Sequence, residues 1–277
     1  MTVVLGLLAA ILYGIGDFAG GIASRRRGAI TVLLWSYPVG AVLMGAMLPL
    51  FPGTLDTKAI LYGIAGGVVG EVGVVLMYSL MTIAPINVIS PVTAVLAAIV
   101  PIIVGVSIGE RPHTSAWLGI ALGLAAVVLV SRTTDASPHG RIGLRVIALA
   151  FVSGLGFGLY FVFLARAGDG SGLWPLVISR VASAALIIPL AKARGAMLPV
   201  RGSLLGIVAL AGACDALANM AFLLASRAGL LSLASVLTSL YPAMTVVLAG
   251  AVLKEHTSPT QRVGLALAAG AIVLITI

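Results

Sequence analysis

The sequence predicts an all-α integral membrane protein of ten transmembrane helices, arranged as two inverted five-helix repeats around a central cavity. Three observations lead there: the composition, a run of ten apolar stretches, and a self-similarity between the halves of the chain. Of 277 residues, 61% are hydrophobic and 9% charged, with a mean hydropathy of +1.21. A soluble domain carries about 25% charge and aggregates if it exposes this much apolar surface, so the solvent for most of the surface is lipid. A net charge of +8 would point to nucleic acid in a soluble chain. In short loops between spans, basic residues set orientation instead, and no nucleic-acid partner is expected. The single cysteine, Cys214, excludes an internal disulfide and any multi-cysteine metal site.

A helix needs about 20 apolar residues to cross the hydrocarbon. Such stretches occupy 2–23, 30–51, 58–81, 86–108, 114–131, 143–165, 173–192, 203–226, 229–253 and 257–277. Arg25-Arg26-Arg27-Gly28 ends the first and Phe51-Pro52-Gly53 the second, and Ala84-Pro85 turns the chain between the third and fourth. Gly109-Glu110-Arg111-Pro112 follows the fourth, a polar run from Arg132 to Arg141 the fifth, and Gly168-Asp169-Gly170-Ser171-Gly172 the sixth. The first span has positive charge after it and none before it, which is the wrong order for a cleaved signal peptide. Eleven of the sixteen basic residues fall in loops after odd-numbered spans, and only Lys58, Arg111, Arg166 and Arg227 in loops after even-numbered ones. That imbalance puts the odd loops in the cytoplasm and both termini outside, in a bacterial inner membrane.

The self-similarity is explicit. Residues 83–130 laid over 228–275 without a gap match Ser90 with Ser235, Thr93 with Thr238, Glu110 with Glu255 and Gly119 with Gly264. At slightly different offsets Gly14-Ile15-Gly16 falls on Gly156-Phe157-Gly158, and Ser36-Tyr37 on Ser179-Arg180. The units are then 1–138 and 139–277. An odd number of spans per unit forces the second to enter the membrane upside down. Inverted repeats build a midplane site where the halves meet and alternate its access by rocking, so the expectation is a carrier.

The glycine pairs of spans one and six, the Gly109-Glu110 and Lys254-Glu255 endings of spans four and nine, and the spacing from Pro242 to Glu255 resemble the EamA family of the drug/metabolite transporter superfamily. The resemblance covers essentially the whole chain. It implies two five-helix repeats around a central cavity and export of amino acids or other metabolites, with no cofactor. It also implies that Glu110 and Glu255 cap or clamp the helix that follows each, as helix-end or gate residues, and aligns Arg180 with an arginine of span seven. The chain departs from the pattern at Ala97, which stands where the second half has Pro242, with Pro101 one turn later, and in its buried acids.

A charge near the bilayer centre costs roughly 2.5–3.5 kcal/mol, so it faces a cavity or a partner. Glu71 and Asp215 lie deepest, at nearly equivalent places in the two halves; Asp17 lies nearer a helix end. Two acids in one cavity suit a cationic or zwitterionic substrate, or protons as the coupling ion. Arg180 offers a planar fork to a carboxylate or bridges one of these acids. Asn219 shares the helical face of Asp215, four residues away, and lines the cavity or bonds across helices. Ser90, Thr93, Ser235 and Thr238 repeat as Ser-x-x-Thr, read as cavity groups or as close packing. Tyr78 and Tyr160 are cavity or core aromatics, whereas Trp35 sits near an interface. Glycine pairs spaced by four, such as Gly16/Gly20 and Gly63/Gly67, indicate close helix contact within the bundle and leave a monomer or weak dimer.

The function read from these residues is secondary transport of a small polar metabolite, an amino acid, amine or related compound, by alternating access as an exporter. The alternative of the same class is multidrug efflux of cationic compounds. A membrane-embedded enzyme needs a nucleophile and base or a metal set at depth, yet His113, His139 and His256 all fall in loops without metal spacing, and no HExxH pair or nucleophile elbow occurs. A channel is expected of subunit rings rather than one two-fold repeat.

Overall fold

In the computed structural model, residues 1–80, 86–131, 143–254 and 257–277 are described, the side chains of 86–91, 249 and 253 excepted. The Ser90 side chain and Glu255 therefore lie outside the described residues, as do His139 and His256. Helices account for nearly all of the rest: α1 (Thr2–Arg27), α2 (Ala29–Met47), α3 (Thr57–Leu80), α4 (Ile86–Ser107), α5 (Thr114–Val130), α6 (Leu144–Arg166), α7 (Trp174–Ala193), α8 (Ser203–Ala228), α9 (Leu231–Thr238), α10 (Tyr241–Leu253) and α11 (Pro259–Thr276). No strand occurs among the described residues.

The punctuation follows local chemistry. Gly28 takes a φ of +80°, open to a residue without Cβ, and links α1 directly to α2. At the start of α3 the Asp56 carboxylate accepts the Ala59 N–H at 2.7 Å. Pro175 lies in the first turn of α7, where its missing N–H costs nothing. Ser258 and Gln261 form a reciprocal capping box behind Pro259 at the start of α11.

Among the described residues, eight segments are long and apolar enough to cross a membrane, with α9 and α10 taken together as Leu231–Val252; Val92–Ser107 and Thr114–Val130 are shorter apolar helices. Outward-facing residues such as Leu61 and Val181, each 62% exposed, present hydrocarbon on the bundle surface, and lipid is the medium that suits it. The sequence predicts one helix over 229–253. The structure breaks it between Thr238 and Tyr241, because Pro242 has no N–H and its ring would clash with the carbonyl of Thr238. Bonds of i to i−3 type, from Leu240 to Leu237 and from Ala243 to Leu240, tighten the chain across the break.

Helix packing obeys an exchange rule between the halves. α1 packs on α8 as α6 packs on α3; α2 packs on α8 as α7 packs on α3; α4 packs on α6 as α9 and α10 pack on α1; and α5 meets α11. The closest approaches repeat as well. A Cβ on Gly212 would lie 2.3 Å from the Ser36 carbonyl oxygen, and a Cβ on Gly67 would lie 2.4 Å from that of Ser179. Only glycine lets backbones meet so closely, and here it does so at matching places on α8 against α2 and on α3 against α7.

Candidate functional site in the bundle centre

The bundle holds a cavity of about 110 Å³ open to water centres, lined from both halves by α1, α2, α3, α4, α6, α7, α8 and α10. One water needs about 10–15 Å³ on that measure, so a small organic molecule has room. On α1, α2 and α3 the lining runs from mid-helix toward the end that carries Arg25–Arg27, through Asp17, Gly20, Leu33, Met77 and Tyr78. On α6, α7 and α8 it stops near Phe161, Ser179 and Asn219. Beyond that limit Phe222, Leu223 and Leu173 are wholly buried, and the Phe161 and Phe222 rings stack at 4.2 Å. The cavity thus extends toward one end of the bundle and is plugged toward the other.

Polar contacts fasten the plugged end. The guanidinium of Arg227 donates to the carbonyls of Gly172 at 2.8 Å and Gly168 at 2.9 Å and to the Ser171 hydroxyl at 2.8 Å. The Thr54 N–H donates to the Gly170 carbonyl at 2.9 Å, so the loop between α2 and α3 is tied in. Glu110 corrects an expectation. Its carboxylate reaches not α5, the helix that follows it, but α9 in the other half, accepting the N–H groups of Leu231 and of Ser232, the latter at 3.0 Å. The physical reason is that the first N–H groups of α9 lack partners and Leu230, which precedes it, brings no capping side chain.

Inside the cavity the sequence-derived residues fall into two groups. Asp17, Glu71, Arg180, Asp215, Asn219, Tyr78 and Tyr160 all line it. Thr93, Ser235 and Thr238 do not. All three are fully buried at helix contacts, where Thr93 abuts Gly154 of α6 and engages Tyr241, Ser235 donates to the Ser232 carbonyl at 3.0 Å, and the Thr238 hydroxyl has no partner among the described residues. Close packing with small side chains explains their recurrence.

The carboxylates differ in how they are held. Asp215 forms an ion pair and hydrogen bond with Arg180; the side chains are 40% and 10% exposed. Glu71 is 3% exposed and accepts one hydrogen bond through Oε2, from the Tyr37 hydroxyl. Its Oε1 is buried without a hydrogen-bond partner among the described residues, and neighbouring Ser183 donates to the Gly67 carbonyl at 3.1 Å. Asp17 makes no hydrogen bond or ion pair among the described residues. Tyr37 joins two of these groups, because the Arg180 guanidinium also sits 5.4 Å from its ring centroid. Asn219 accepts the Tyr13 hydroxyl at 2.6 Å and donates to the Asp215 carbonyl at 2.7 Å, which binds α1 to α8 beside the acids.

Sequence reasoning does not single out Tyr13 or Tyr241. Tyr13 precedes Asp17 by four residues and so shares its face, and that spacing is the signal that finds it. Tyr241 reaches the cavity because the break before Pro242 reorients the chain there.

The EamA-like transporter family matches residues 1–132 and 144–277. No curated protein matches the chain. Among 27 matching solved chains, one described only as a crystal structure of a protein is 19% identical, covers 99% of this chain and 96% of its own, and superposes with a TM-score of 0.79, which speaks for the fold alone.

Proposed function

Since the chain belongs to the EamA-like transporter family and is a multi-span membrane transporter, we propose that it exports a small polar metabolite across the bacterial inner membrane by alternating access, with protons as the coupling ion. The observation that carries this reading is a cavity built from both halves, reaching toward one end of the bundle and plugged at the other. A carrier needs such a one-sided site, and two similar halves supply two conformations of similar energy.

In this reading the chain crosses ten times, with residues 1–138 and 139–277 as inverted repeats. The paired contacts of α1 on α8 with α6 on α3, and the matched Ser36–Gly212 and Ser179–Gly67 approaches, support a two-fold relation between them. The loop charges support a cytoplasmic position for Arg25–Arg27, with the cavity facing inward. Asp17, Glu71, Asp215, Arg180, Asn219, Tyr78 and Tyr160 form the substrate and coupling site. Glu110 acts at a helix end on the closed face. The plug of Phe222 and Leu223 supports a carrier over an open channel.

The test is flux in proteoliposomes under an imposed pH gradient. Wild-type protein should give saturable, gradient-stimulated uptake of a metabolite from a mixed panel. Glu71→Ala and Asp215→Ala should abolish it while still inserting. Wild-type flux from both variants would reject the site.

A further inference from the structure

We infer that the ligand of this cavity is an organic amine that carries no carboxylate, bound with its ammonium at Glu71, in a lining that also holds Asp17, and its apolar body among the aromatic side chains; the inference rests on the carrier reading and narrows its substrate. Among the described residues, the charged side chains of the lining are Asp17, Glu71, Asp215 and Arg180. The only cation among them is already held by Asp215. A carboxylate on the ligand would have to displace Asp215 from the guanidinium and would enter a space that already holds three acids. An ammonium meets the opposite situation. Glu71, a lining residue, keeps its buried Oε1 without a donor among the described residues, and Asp17 brings a second carboxylate with no cation of its own among them. A buried acceptor without a partner is costly until a donor arrives, so a ligand N–H satisfies a group that the protein leaves open.

The rest of the lining fits the body of such a ligand. Tyr13, Tyr78, Tyr160, Tyr241, Phe157 and Phe161 provide ring faces that attract a cation and pack against an apolar chain or ring. A bare metal ion is not favoured, because no three of the described His, Cys, Asp and Glu residues stand together as a ligand set.

Phenethylamine and phenylalanine differ by one carboxylate and isolate the claim. Calorimetric titration of the purified full-length protein should show phenethylamine binding at least about tenfold more tightly than phenylalanine, because both carry the ammonium and only phenylalanine sets a like charge among the acids. Glu71→Gln should weaken phenethylamine by about tenfold or more. Tyr37→Arg, which sets a guanidinium beside Glu71, should weaken the amine and strengthen phenylalanine. Equal or tighter binding of phenylalanine to the wild type overturns the inference, and so does failure of phenethylamine to bind. Should proteoliposomes then carry phenylalanine or another carboxylate solute saturably, the amine class falls while the carrier stands. Should folded protein carry no member of a panel of amines, amino acids and neutral metabolites, the carrier reading falls with it.

Discussion

The two halves place a side chain from the second helix against an acid on the third, and they fill those positions differently. In the first half Tyr37 of α2 donates a neutral hydroxyl to Glu71 of α3. In the second half the equivalent residue, Arg180 of α7, sets a full positive charge on Asp215 of α8. The geometry is shared; the electrostatics are not. One acid is paired with a cation of its own chain and the other keeps an oxygen without a partner among the described residues, so the matching positions are electrostatically unlike. The fourth helices diverge in the same way. α4 runs unbroken through Ala97, whereas the matching stretch of the second half splits into α9 and α10 before Pro242.

Exchanging these features between the halves should give unequal results. The largest effect is expected from Ala97→Pro. It imports the proline into a continuous helix, removes a backbone hydrogen bond and clashes with the Thr93 carbonyl, at a cost of about 3 kcal/mol or more. Pro242→Ala, at a site already broken, should be tolerated. Thermal unfolding of the two purified variants measures the contrast, and equal losses would show that the break does not depend on proline.

A smaller effect is expected at the cross-half cap. Glu110→Ala removes the acceptor for two N–H groups of α9 and should cost about 1 kcal/mol, in the range of helix caps. His113→Ala, at the N-cap of α5 where no side-chain bond is made, should leave the melting temperature unchanged. The smallest difference belongs to the paired threonines. Thr238→Val replaces a buried hydroxyl without a partner and should be neutral or slightly stabilising, while Thr93→Val loses a contact with Tyr241 and should cost about 1 kcal/mol. Matched melting curves for that pair test whether aligned positions have taken different jobs.

Much of this was legible in the residues because lipid imposes simple rules. Apolar runs of one length located the helices, and a charge at mid-span signalled the cavity at Glu71, Asp215 and Arg180. What stayed hidden depends on contacts between distant parts of the chain. Glu110 reads locally as a cap for α5, and only packing of α4 beside α9 shows that it serves Leu231 and Ser232. Tyr13 is one aromatic among many until α1 lies against Asn219. The Ser-x-x-Thr recurrence misleads in the other direction, since small polar residues mark tight helix contact as readily as a binding face.

Arg227 grips the loop after α6 chiefly through main-chain oxygens of Gly168 and Gly172, while Asp169, 87% exposed at 3.9 Å, adds little. A clasp that reads chain path rather than side-chain identity tolerates drift in composition but not in length. Exchanging Asp169 for another polar residue leaves the fastening whole. Inserting one residue between Gly168 and Gly172 shifts both acceptors out of register, and the seal on that face loosens without any change in the residues that form it.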